Sequence, residues 1–280
     1  MLKTGCIVQA RMTSSRLPGK VLKILDFNKN TSILDEVISR LKRVKHIDQI
    51  IIATTENKQD DSIIQTAEKS GVSYFRGSEN DVLSRYYLAA IENDLTDVIR
   101  ITSDCPFLDP SVIDELYDFY ICGGYDYASI GIERTYPHGL DCEIFSMDAL
   151  KTAYKKGFTD ADREHVTYFI YNHPKEFKIG SKKLDGEDYS DIRITVDREE
   201  DYILACVLKD MLNGCGSTSF RDIVDIFNKK PYLKMINNKV MQKKKYESSA
   251  DEIDAAIKLL KLQEMNCAAG LLEKEKTDER

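Results

Sequence analysis

Three cationic side chains, Arg11, Arg16 and Lys20, follow the first apolar run of the chain. The run covers residues 6–8, stops at Gln9 and gives way to a polar loop. A loop at the carboxyl end of a first strand is where open α/β sheets bind ligands. The planar fork of Arg and the ammonium of Lys both bind phosphate oxygens. The spacing therefore predicts a phosphate-binding loop, and a solvated basic loop is the alternative.

The two best-known phosphate motifs do not fit this loop. A P-loop requires G-x-x-x-x-G-K-[ST], but Ser14 stands in place of the first glycine, and Val21 follows Gly19 and Lys20. No G-x-G-x-x-G follows the apolar run either, so a dinucleotide-binding fold of the usual kind is not indicated.

Two aspartates follow apolar runs further along the chain. Asp104 comes shortly after the run at residues 97–102, and Asp197 follows the run at 192–196. Carboxylate oxygens at strand ends, together with phosphates and water, are the ligands that Mg²⁺ prefers. The alternative roles are structural, because Asp is common in turns and at the N-cap of a helix.

The order of the apolar runs predicts an α/β fold. Continuous apolar runs are typical of strands buried on both faces, and a period of 3.6 is typical of helices. Strands are predicted at 5–9, 49–54, 72–75 and 97–102, and helices at 32–44, 60–70, 81–93 and 110–120. This alternation predicts βαβ units and a mainly parallel sheet. Shorter strands are predicted at 125–129, 142–145, 177–180 and 192–196, with helices at about 146–157, 162–172, 199–213 and 219–228.

The composition disfavours several classes of function. The chain has 280 residues, a net charge of −7 and 42% hydrophobic residues, which suits a folded domain better than a general nucleic-acid binder. No apolar stretch approaches the roughly 18 residues of a membrane span. The seven cysteines are scattered without a C-x-x-C pair, so we expect a cytoplasmic protein without a disulfide framework.

The last part of the chain differs in character from the rest. We expect a main domain over 1–235 and a C-terminal helical extension with a charged tail over 236–280. An amphipathic helix is predicted at 250–263, after a polar segment with three lysines at 243–245, and the charged tail begins at residue 273. The lysines predict a solvated face in an acidic protein.

The first loop resembles the nucleotide-binding signature of the cytidylyltransferases that make CMP-activated sugar acids, such as CMP-Kdo and CMP-neuraminate. The matching residues are Gln9-Ala10-Arg11-x-x-Ser14-x-Arg16-Leu17-Pro18-Gly19-Lys20. The branch of spore coat polysaccharide biosynthesis protein SpsF is the most similar, over about residues 4–240. Its later motifs correspond to Arg76-Gly77-Ser78, Ser103-Asp104-Cys105-Pro106, Tyr136-Pro137-x-Gly139-Leu140-Asp141, Arg163-Glu164-His165-Val166-Thr167 and Thr195-Val196-Asp197.

The resemblance implies a Rossmann-like nucleotidyltransferase fold and a set of nucleotide-side residues. It assigns catalysis to Arg11, Lys20 and Asp104, and a catalytic Mg²⁺ to Asp104 and Asp197. It assigns CTP contacts to Gln9, Ala10, Arg11, Ser14, Arg16, Lys20, Thr54, Arg76, Ser78 and Asp104. Ser78 has a structural alternative, because Ser78-x-x-Asp81 could open a helix. One departure is that better-studied members often carry two acidic residues around position 104, where this chain has one.

For the acceptor, the resemblance implicates the inserted region at about 124–190, which is also expected to form a homodimer. The expected substrate contacts are Tyr136, His138, Asp141, Glu143 and His165. His138 stands where the resemblance places Asp in many relatives, a departure that indicates a different acceptor. Either histidine could instead be a surface or packing residue.

The predicted reaction is Mg²⁺-dependent transfer of CMP from CTP to a sugar acid or a small phosphorylated acceptor, with release of pyrophosphate, for surface polysaccharide biosynthesis. The partners are therefore CTP and a small molecule, with no nucleic acid and no membrane. Two alternatives remain open. One is a sugar-phosphate nucleotidylyltransferase that uses another NTP, whose usual Gly-rich loop is absent. The other is a non-catalytic nucleotide-binding relative.

Overall fold

The computed structural model describes residues 2–213, 218–240 and 249–278. The chain divides into two units, Met1–Val240 and Met241–Arg280. The strands of the larger unit are β1 (Thr4–Gln9), β2 (Ile24–Asp26), β3 (Thr31–Ser32), β4 (Gln49–Thr55), β5 (Ser73–Gly77), β6 (Asp97–Thr102), β7 (Tyr127–Ser129), β8 (Glu143–Ser146) and β9 (Ile179–Ser181). Its helices are α1 (Ile33–Leu41), α2 (Asp61–Lys69), α3 (Val82–Glu92), α4 (Pro110–Gly123), α5 (Met147–Lys156), α6 (Asp160–His165), α7 (Tyr168–Tyr171), α8 (Glu199–Leu212) and α9 (Phe220–Lys229).

Seven of these strands form one sheet in the order β5-β4-β1-β6-β8-β7-β9. β1 pairs in parallel with β4 and β6, and β4 pairs in parallel with β5. β8 runs antiparallel to β6 and β7, while β9 is parallel to β7. The prediction of a mainly parallel sheet flanked by helices is confirmed. β1 has β4 on one side and β6 on the other, so the ligand crevice of such a sheet lies at the carboxyl ends of β1 and β6.

The two faces of the sheet are buried in separate apolar clusters. Along β1, Cys6 and Val8 point into one cluster and Ile7 points into the other, as the two-residue period of a strand requires. The first cluster contains apolar residues of α1, α2, α4, α8 and α9, and the second contains those of α3, α5 and α7. Helices therefore cover both faces, which explains why the central strands are continuous apolar runs.

The prediction of a strand at 192–196 is wrong. This segment forms a single bridge, between Arg193 and His138, instead of a ladder. Its backbone groups bond to two loops: the His138 N–H donates to the carbonyl of Ile192 at 2.8 Å, and the Val196 N–H donates to the carbonyl of Asp104 at 2.8 Å. The segment is apolar because Ile192, Ile194 and Val196 are buried, not because it belongs to the sheet.

The helix predicted at 162–172 is two short helices, α6 and α7. They are separated at Val166, whose backbone has φ 58° and ψ −62°. A helix cannot continue through this conformation, which is unfavourable for a β-branched residue. The other predicted elements agree with the structure apart from shifts of their ends.

The smaller unit contains two helices, α10 (Ser249–Leu262) and α11 (Asn266–Asp278). They pack against each other, and Lys261 Nζ donates to Glu273 Oε1 at 2.6 Å. The predicted amphipathic helix corresponds to α10, whereas α11 was not predicted and includes most of the charged tail. The three lysines at 243–245 lie outside the described residues. Among those described, no helix is long and apolar enough to cross a membrane.

Candidate active site

The loop after β1 is shaped by hydrogen bonds to one residue, Met12. Its carbonyl accepts the N–H groups of Ser14 and Gly19, both at 3.0 Å, and its own N–H donates to Asp60 Oδ1 at 2.8 Å. Gly19 has φ +67°, a left-handed conformation in which glycine avoids strain. A single 3₁₀ turn, Lys20–Leu22, follows directly. The loop thus folds back on itself and brings Lys20 toward the ends of the neighbouring strands.

Lys20 lies between two carboxylates. Its ammonium donates to Asp104 Oδ2 at 2.7 Å and to Asp197 Oδ1 at 3.2 Å. The guanidinium of Arg16 contacts the other carboxylate oxygen of Asp197. We call these four residues the charged cluster. It stands at the carboxyl ends of β1 and β6, where the topology places the ligand crevice.

The carbonyl of Asp104 brings Asp197 into the charged cluster. It accepts the Val196 N–H at 2.8 Å and the Thr195 hydroxyl at 3.1 Å. These bonds hold Thr195 and Val196 next to Asp104. The two acids therefore meet although they are 93 positions apart in the sequence.

Asp197 does not cap the helix that follows it, so that alternative role is wrong. The N-cap residue of α8 is Arg198, and the carboxylate that binds the free backbone groups belongs to Asp201. One oxygen of Asp201 accepts the N–H groups of Asp197 and Arg198, both at 3.1 Å. Arg193 pairs with both oxygens of Asp201 at 2.8 Å. Sequence reasoning missed Asp201, and its one signal is an acid in the first turn of a predicted helix.

Asp104 is ionised at neutral pH. Burial alone would raise its pKa, but the charge of Lys20 and the hydrogen bond from its ammonium outweigh burial and lower the pKa. A carboxylate that stays charged in a half-buried position is suited to share a cation. Among the described residues, no group of three or more His, Cys, Asp or Glu is arranged to hold a metal ion. The protein thus offers two carboxylates, Asp104 and Asp197, to any ion in the charged cluster.

Arg11 is held apart from the charged cluster by Glu79. Its guanidinium lies 3.5 Å from Glu79 Oε1. The Thr13 hydroxyl donates to the same oxygen at 2.5 Å, and Asn57 Nδ2 donates to the other at 2.7 Å. The bonds from Thr13 and Asn57 lower the pKa of Glu79. Sequence reasoning missed Glu79, because an acid in the polar loop after β5 carries no distinctive signal.

The other predicted nucleotide-side residues surround this loop. Gln9 Oε1 accepts from Arg100 at 3.3 Å, and the Ala10 N–H donates to the carbonyl of Ala53 at 3.1 Å. The hydroxyl of Ser14 accepts the Leu17 N–H at 3.5 Å. Thr54 is fully buried, and its hydroxyl has no hydrogen-bond partner among the described residues.

Arg76 and Ser78 have structural partners. The guanidinium of Arg76 donates to the carbonyls of Thr55 and Asn57, each at 3.0 Å, and to Asp61 at 2.9 Å. It thereby fixes the loop after β4. The exposed Ser78 accepts the Asp81 N–H at 3.1 Å. The N-cap of α3 is Asp81, so Ser78 itself does not cap that helix.

A cavity of about 370 Å³ lies beside β7 and β8. Its lining includes two predicted substrate residues, Asp141 and Glu143, together with Tyr127, Ser129, Arg134 and Tyr171. We call it the β7–β8 pocket. It combines one guanidinium and two carboxylates with several hydroxyl groups, which is a lining suited to a small polar molecule.

Asp141 organises one wall of this pocket. It forms an ion pair with Arg134 and accepts the Gly139 N–H at 3.0 Å. Burial would raise its pKa, but the Arg134 charge together with the hydrogen bonds from Arg134 and the Gly139 N–H and the other neighbouring charge lowers it overall. His138 Nδ1 lies 3.5 Å from Asp141 Oδ2, and burial lowers the pKa of this imidazole. His138 is therefore a neutral, half-buried neighbour of Asp141 and not a freely exposed loop histidine.

Tyr136, a predicted substrate contact, lies in the core. Its side chain is 1% exposed and packs edge-on against Phe220, and its contact with a substrate stays a prediction. His165 lies at the end of α6, with its ring centroid 6.3 Å from that of Tyr168. A substrate contact of His165 stays a prediction.

Comparison with known proteins identifies the family. The sequence profile of the cytidylyltransferases matches residues 5–254. An uncharacterized protein of Methanocaldococcus jannaschii is 37% identical over 85% of this chain and 95% of its own length. Spore coat polysaccharide biosynthesis protein SpsF of Bacillus subtilis is 31% identical over 80% of this chain and 94% of its own length.

A solved structure is similar over most of the fold. The cytidylyltransferase from Leptospira borgpetersenii superposes with a TM-score of 0.77 at 30% identity, over 89% of this chain and all of the other. Both comparisons point to a nucleotidyltransferase fold, and the charged cluster lies at the ligand crevice of such a sheet, at the ends of β1 and β6. The chain belongs to the cytidylyltransferase family and is a nucleotidyltransferase that uses CTP.

Proposed function

We propose that this enzyme transfers CMP from CTP to an oxygen of a sugar acid, with Mg²⁺ as cofactor and pyrophosphate as the second product. The observation that carries the proposal is the convergence of Lys20, Asp104 and Asp197 at the carboxyl ends of β1 and β6. Transfer of this kind requires positioning and charge neutralisation more than covalent chemistry by the protein. Oriented charges in a partly buried crevice supply both.

In the proposed reaction, the acceptor oxygen attacks the α-phosphorus of CTP in line. The new bond joins that oxygen to phosphorus, and the bond to the pyrophosphate oxygen breaks. Arg16 and Lys20 neutralise the triphosphate and the leaving pyrophosphate. Arg11 joins them by exchanging Glu79 for a phosphate oxygen, since the present contact of 3.5 Å is long and the Arg11 side chain is 46% exposed.

Asp104 and Asp197 fit a divalent metal, because both face the same ammonium within 3.2 Å. Mg²⁺ is commonly bound by one or two carboxylates plus substrate phosphates and water. When bound, it supplies positive charge to the phosphate oxygens. The role of the two aspartates is to orient that charge. Lys20 then serves the phosphates directly, as a mobile ammonium on a long side chain.

We assign the acceptor to the β7–β8 pocket, and its charges favour a sugar acid over a phosphate ester. The lining carries Asp141 and Glu143 against one guanidinium, Arg134, which Asp141 already pairs. A phosphate dianion would meet two carboxylates there, whereas hydroxyl groups would find good partners. A single carboxylate needs one cationic donor, and Arg134 Nη1 is buried without a hydrogen-bond partner among the described residues.

The proposal is tested by pyrophosphate release with Mg²⁺, each of the four NTPs, and a panel of sugar acids and small phosphate esters. We expect release with CTP and a sugar acid. Release with another NTP would contradict the choice of nucleotide. Release with a phosphate ester alone would contradict the acceptor assignment, and CTP binding without any release would favour a non-catalytic relative.

We further propose a cytoplasmic homodimer that acts in surface polysaccharide biosynthesis. The pathway is supported by the similarity to the spore coat polysaccharide biosynthesis protein of Bacillus subtilis. The dimer is supported by apolar side chains exposed in the inserted region, above all Phe158 at 78%. Sedimentation of the wild type and of Phe158→Ser tests this contact. A monomeric wild type would exclude it.

A further inference from the structure

Arg100 connects the nucleotide loop with the β7–β8 pocket. This residue lies in β6, and its side chain is 14% exposed. One terminal nitrogen donates to Gln9 Oε1 at 3.3 Å, and the other donates to Glu143 Oε1 at 2.9 Å. Gln9 ends β1 next to the predicted CTP loop, while Glu143 lines the pocket. One buried guanidinium therefore contacts both halves of the site.

The sheet fixes this arrangement. Arg100 pairs with Glu143 across the antiparallel ladder of β6 and β8. It pairs with Ile7 across the parallel ladder of β6 and β1, two positions before Gln9. Because side chains alternate along strands, Gln9, Arg100 and Glu143 lie on the same face. The register of the strands fixes the backbone positions of all three residues. The backbone of any of them can shift only if the sheet shifts with it.

An unusual turn at Val166 holds Glu143, the last of these three residues. The second oxygen of Glu143 accepts from the Thr167 hydroxyl at 2.8 Å. Thr167 follows Val166, whose φ of 58° and ψ of −62° form a classic γ-turn, closed by the Thr167 N–H to the carbonyl of His165 at 2.6 Å. A β-branched residue in this rare conformation is strained. This strained turn directs the Thr167 hydroxyl toward Glu143. Arg100 therefore orients one oxygen of this carboxylate, and Thr167 orients the other.

We propose that Arg100 is a positioning residue that couples the two substrates: it transmits the state of Glu143 in the pocket to Gln9 at the CTP loop, and the reverse. The inference rests on the proposed function, since it needs CTP beside Gln9 and an acceptor beside Glu143. When an acceptor hydroxyl bonds to Glu143, the hydrogen bond between Glu143 and Arg100 changes. The contact of Arg100 with Gln9 then changes as well, and with it the orientation of the Gln9 amide. Such coupling is reciprocal, so a change at the pocket must appear in the affinity for CTP.

The test measures CTP affinity by calorimetric titration with Mg²⁺, without an acceptor, in a double-mutant cycle. The variants are Glu143→Gln, Arg100→Lys and the double variant. Lys keeps the charge but lacks the planar fork of the guanidinium, so its shorter, compact ammonium does not reproduce the geometry that reaches both partners. We expect Glu143→Gln to weaken CTP binding about fivefold in the wild-type background, as moderate coupling would. In the Arg100→Lys background, the same change should have less than about a twofold effect.

A matched control uses another buried ion pair of the same chemistry. Arg40 Nε donates to Glu36 at 2.8 Å on α1, which packs on the opposite face of the sheet. Arg40→Lys and Glu36→Gln should leave CTP affinity unchanged. If Glu143→Gln has no effect, or tightens binding, or has equal effects in both backgrounds, the proposal is overturned. It is overturned too if the control variants weaken CTP binding as much.

Thermal unfolding would show whether Glu143→Gln and Arg100→Lys fold. If they do not, a second variant tests the proposal. Thr167→Val keeps the volume and removes the hydroxyl that orients Glu143. Weaker CTP binding by a folded Thr167→Val protein supports the coupling, and unchanged binding overturns it. If the wild type itself does not bind CTP, the proposed function fails and this inference with it. CTP binding without coupling overturns the inference alone.

Discussion

At the scale of single residues, the site depends on one ammonium between two carboxylates. Lys20 forms ion pairs with Asp104 and Asp197 in the free enzyme, and in the proposed reaction it pairs with phosphate. The same charge thus serves the fold before CTP binds and the reaction afterwards. Because Lys20 has both roles, variants of Lys20 and its partners are the best ones in which to measure effects on activity and on stability separately.

Replacing Lys20 by Ala should lower turnover far more than it lowers stability. We expect a loss of about 100- to 1,000-fold in kcat, the usual effect of removing one oriented charge from a developing transition state. Pyrophosphate release measures turnover, and urea unfolding measures stability. Lys23→Ala is the control, because Lys23 lies three positions away and its ammonium stands 5.3 Å from the Tyr202 ring centroid. Unchanged turnover in Lys20→Ala would remove the residue from the mechanism.

The lowered pKa of Asp104 predicts how stability depends on pH. The pKa of Asp104 in the folded state lies below the unfolded value of about 3.9, so the folded state favours the charged form. The stabilisation that this charged carboxylate contributes is therefore fully present above a pH of about 3.9. It is lost as the pH falls through the lower folded pKa. Wild type should therefore exceed Asp104→Asn in free energy of unfolding at pH 7, and the difference should shrink on acidification. Urea unfolding of both proteins from pH 7 to pH 2 measures it, and a difference that does not shrink contradicts this cause.

At the scale of elements, the site is assembled by loops that the sheet brings together. The loop around Gly139 and the segment at 192–196 exchange hydrogen bonds through His138, at 2.8 Å to Ile192 and 2.7 Å from Ile194. This contact joins the wall of the β7–β8 pocket to the segment that delivers Asp197. A change in how closely the two pieces approach should therefore affect the pocket and the charged cluster together.

Gly139→Ala tests this close approach. Gly139 has φ +114°, and a Cβ there would stand 2.5 Å from the Thr195 nitrogen. We expect the free energy of unfolding to fall by about 1–3 kcal/mol from overpacking, with a loss of turnover because Asp197 shifts. Gly186→Ala is the matched control, since it has φ +72° but no atom within 4 Å of its Cβ position. If both variants lose turnover equally, the close approach is not the cause.

The same elements show what could be predicted from the sequence. The parallel half of the sheet was predictable because strands such as β4 are apolar on both faces and so form continuous runs. The segment at 192–196 was not, because its apolar residues pack in the core while its backbone bonds to distant loops. The break at Val166 left no signal, since valine is a poor residue for that turn.

For the site, residue types at strand ends were predictable and their partners were not. The strand order brings the loop of Lys20 to Asp104, whereas Asp197 joins them through the hydrogen bonds of Thr195 and Val196 to the Asp104 carbonyl. Glu79 and Arg100 were missed because their roles depend on which side chains face them across the fold. Tyr136 shows the opposite case: it belongs to a motif, but the motif did not indicate that its side chain is buried in the core.

At the scale of the whole molecule, binding of CTP should stabilise the larger unit as one body, because the proposed ligand bridges loops from both halves of the sheet. The loop after β1, the end of β6 and the turn before α8 all supply residues of the charged cluster. A ligand that binds the folded state alone raises stability by mass action, about 2.7 kcal/mol at 100 times its dissociation constant.

We therefore expect CTP with Mg²⁺ to raise the Tm by about 5–10 °C at that concentration, given roughly 2–4 °C per kcal/mol for a chain somewhat below this length. Thermal unfolding followed by circular dichroism measures the shift without any acceptor. UTP, GTP and ATP should give smaller shifts, and removal of the metal with EDTA should reduce the shift with CTP. Asp104→Ala should lose the metal-dependent part, because one of the two carboxylates is gone. Equal shifts with all four nucleotides would contradict selective CTP binding, and a shift indifferent to EDTA would contradict a metal between Asp104 and Asp197.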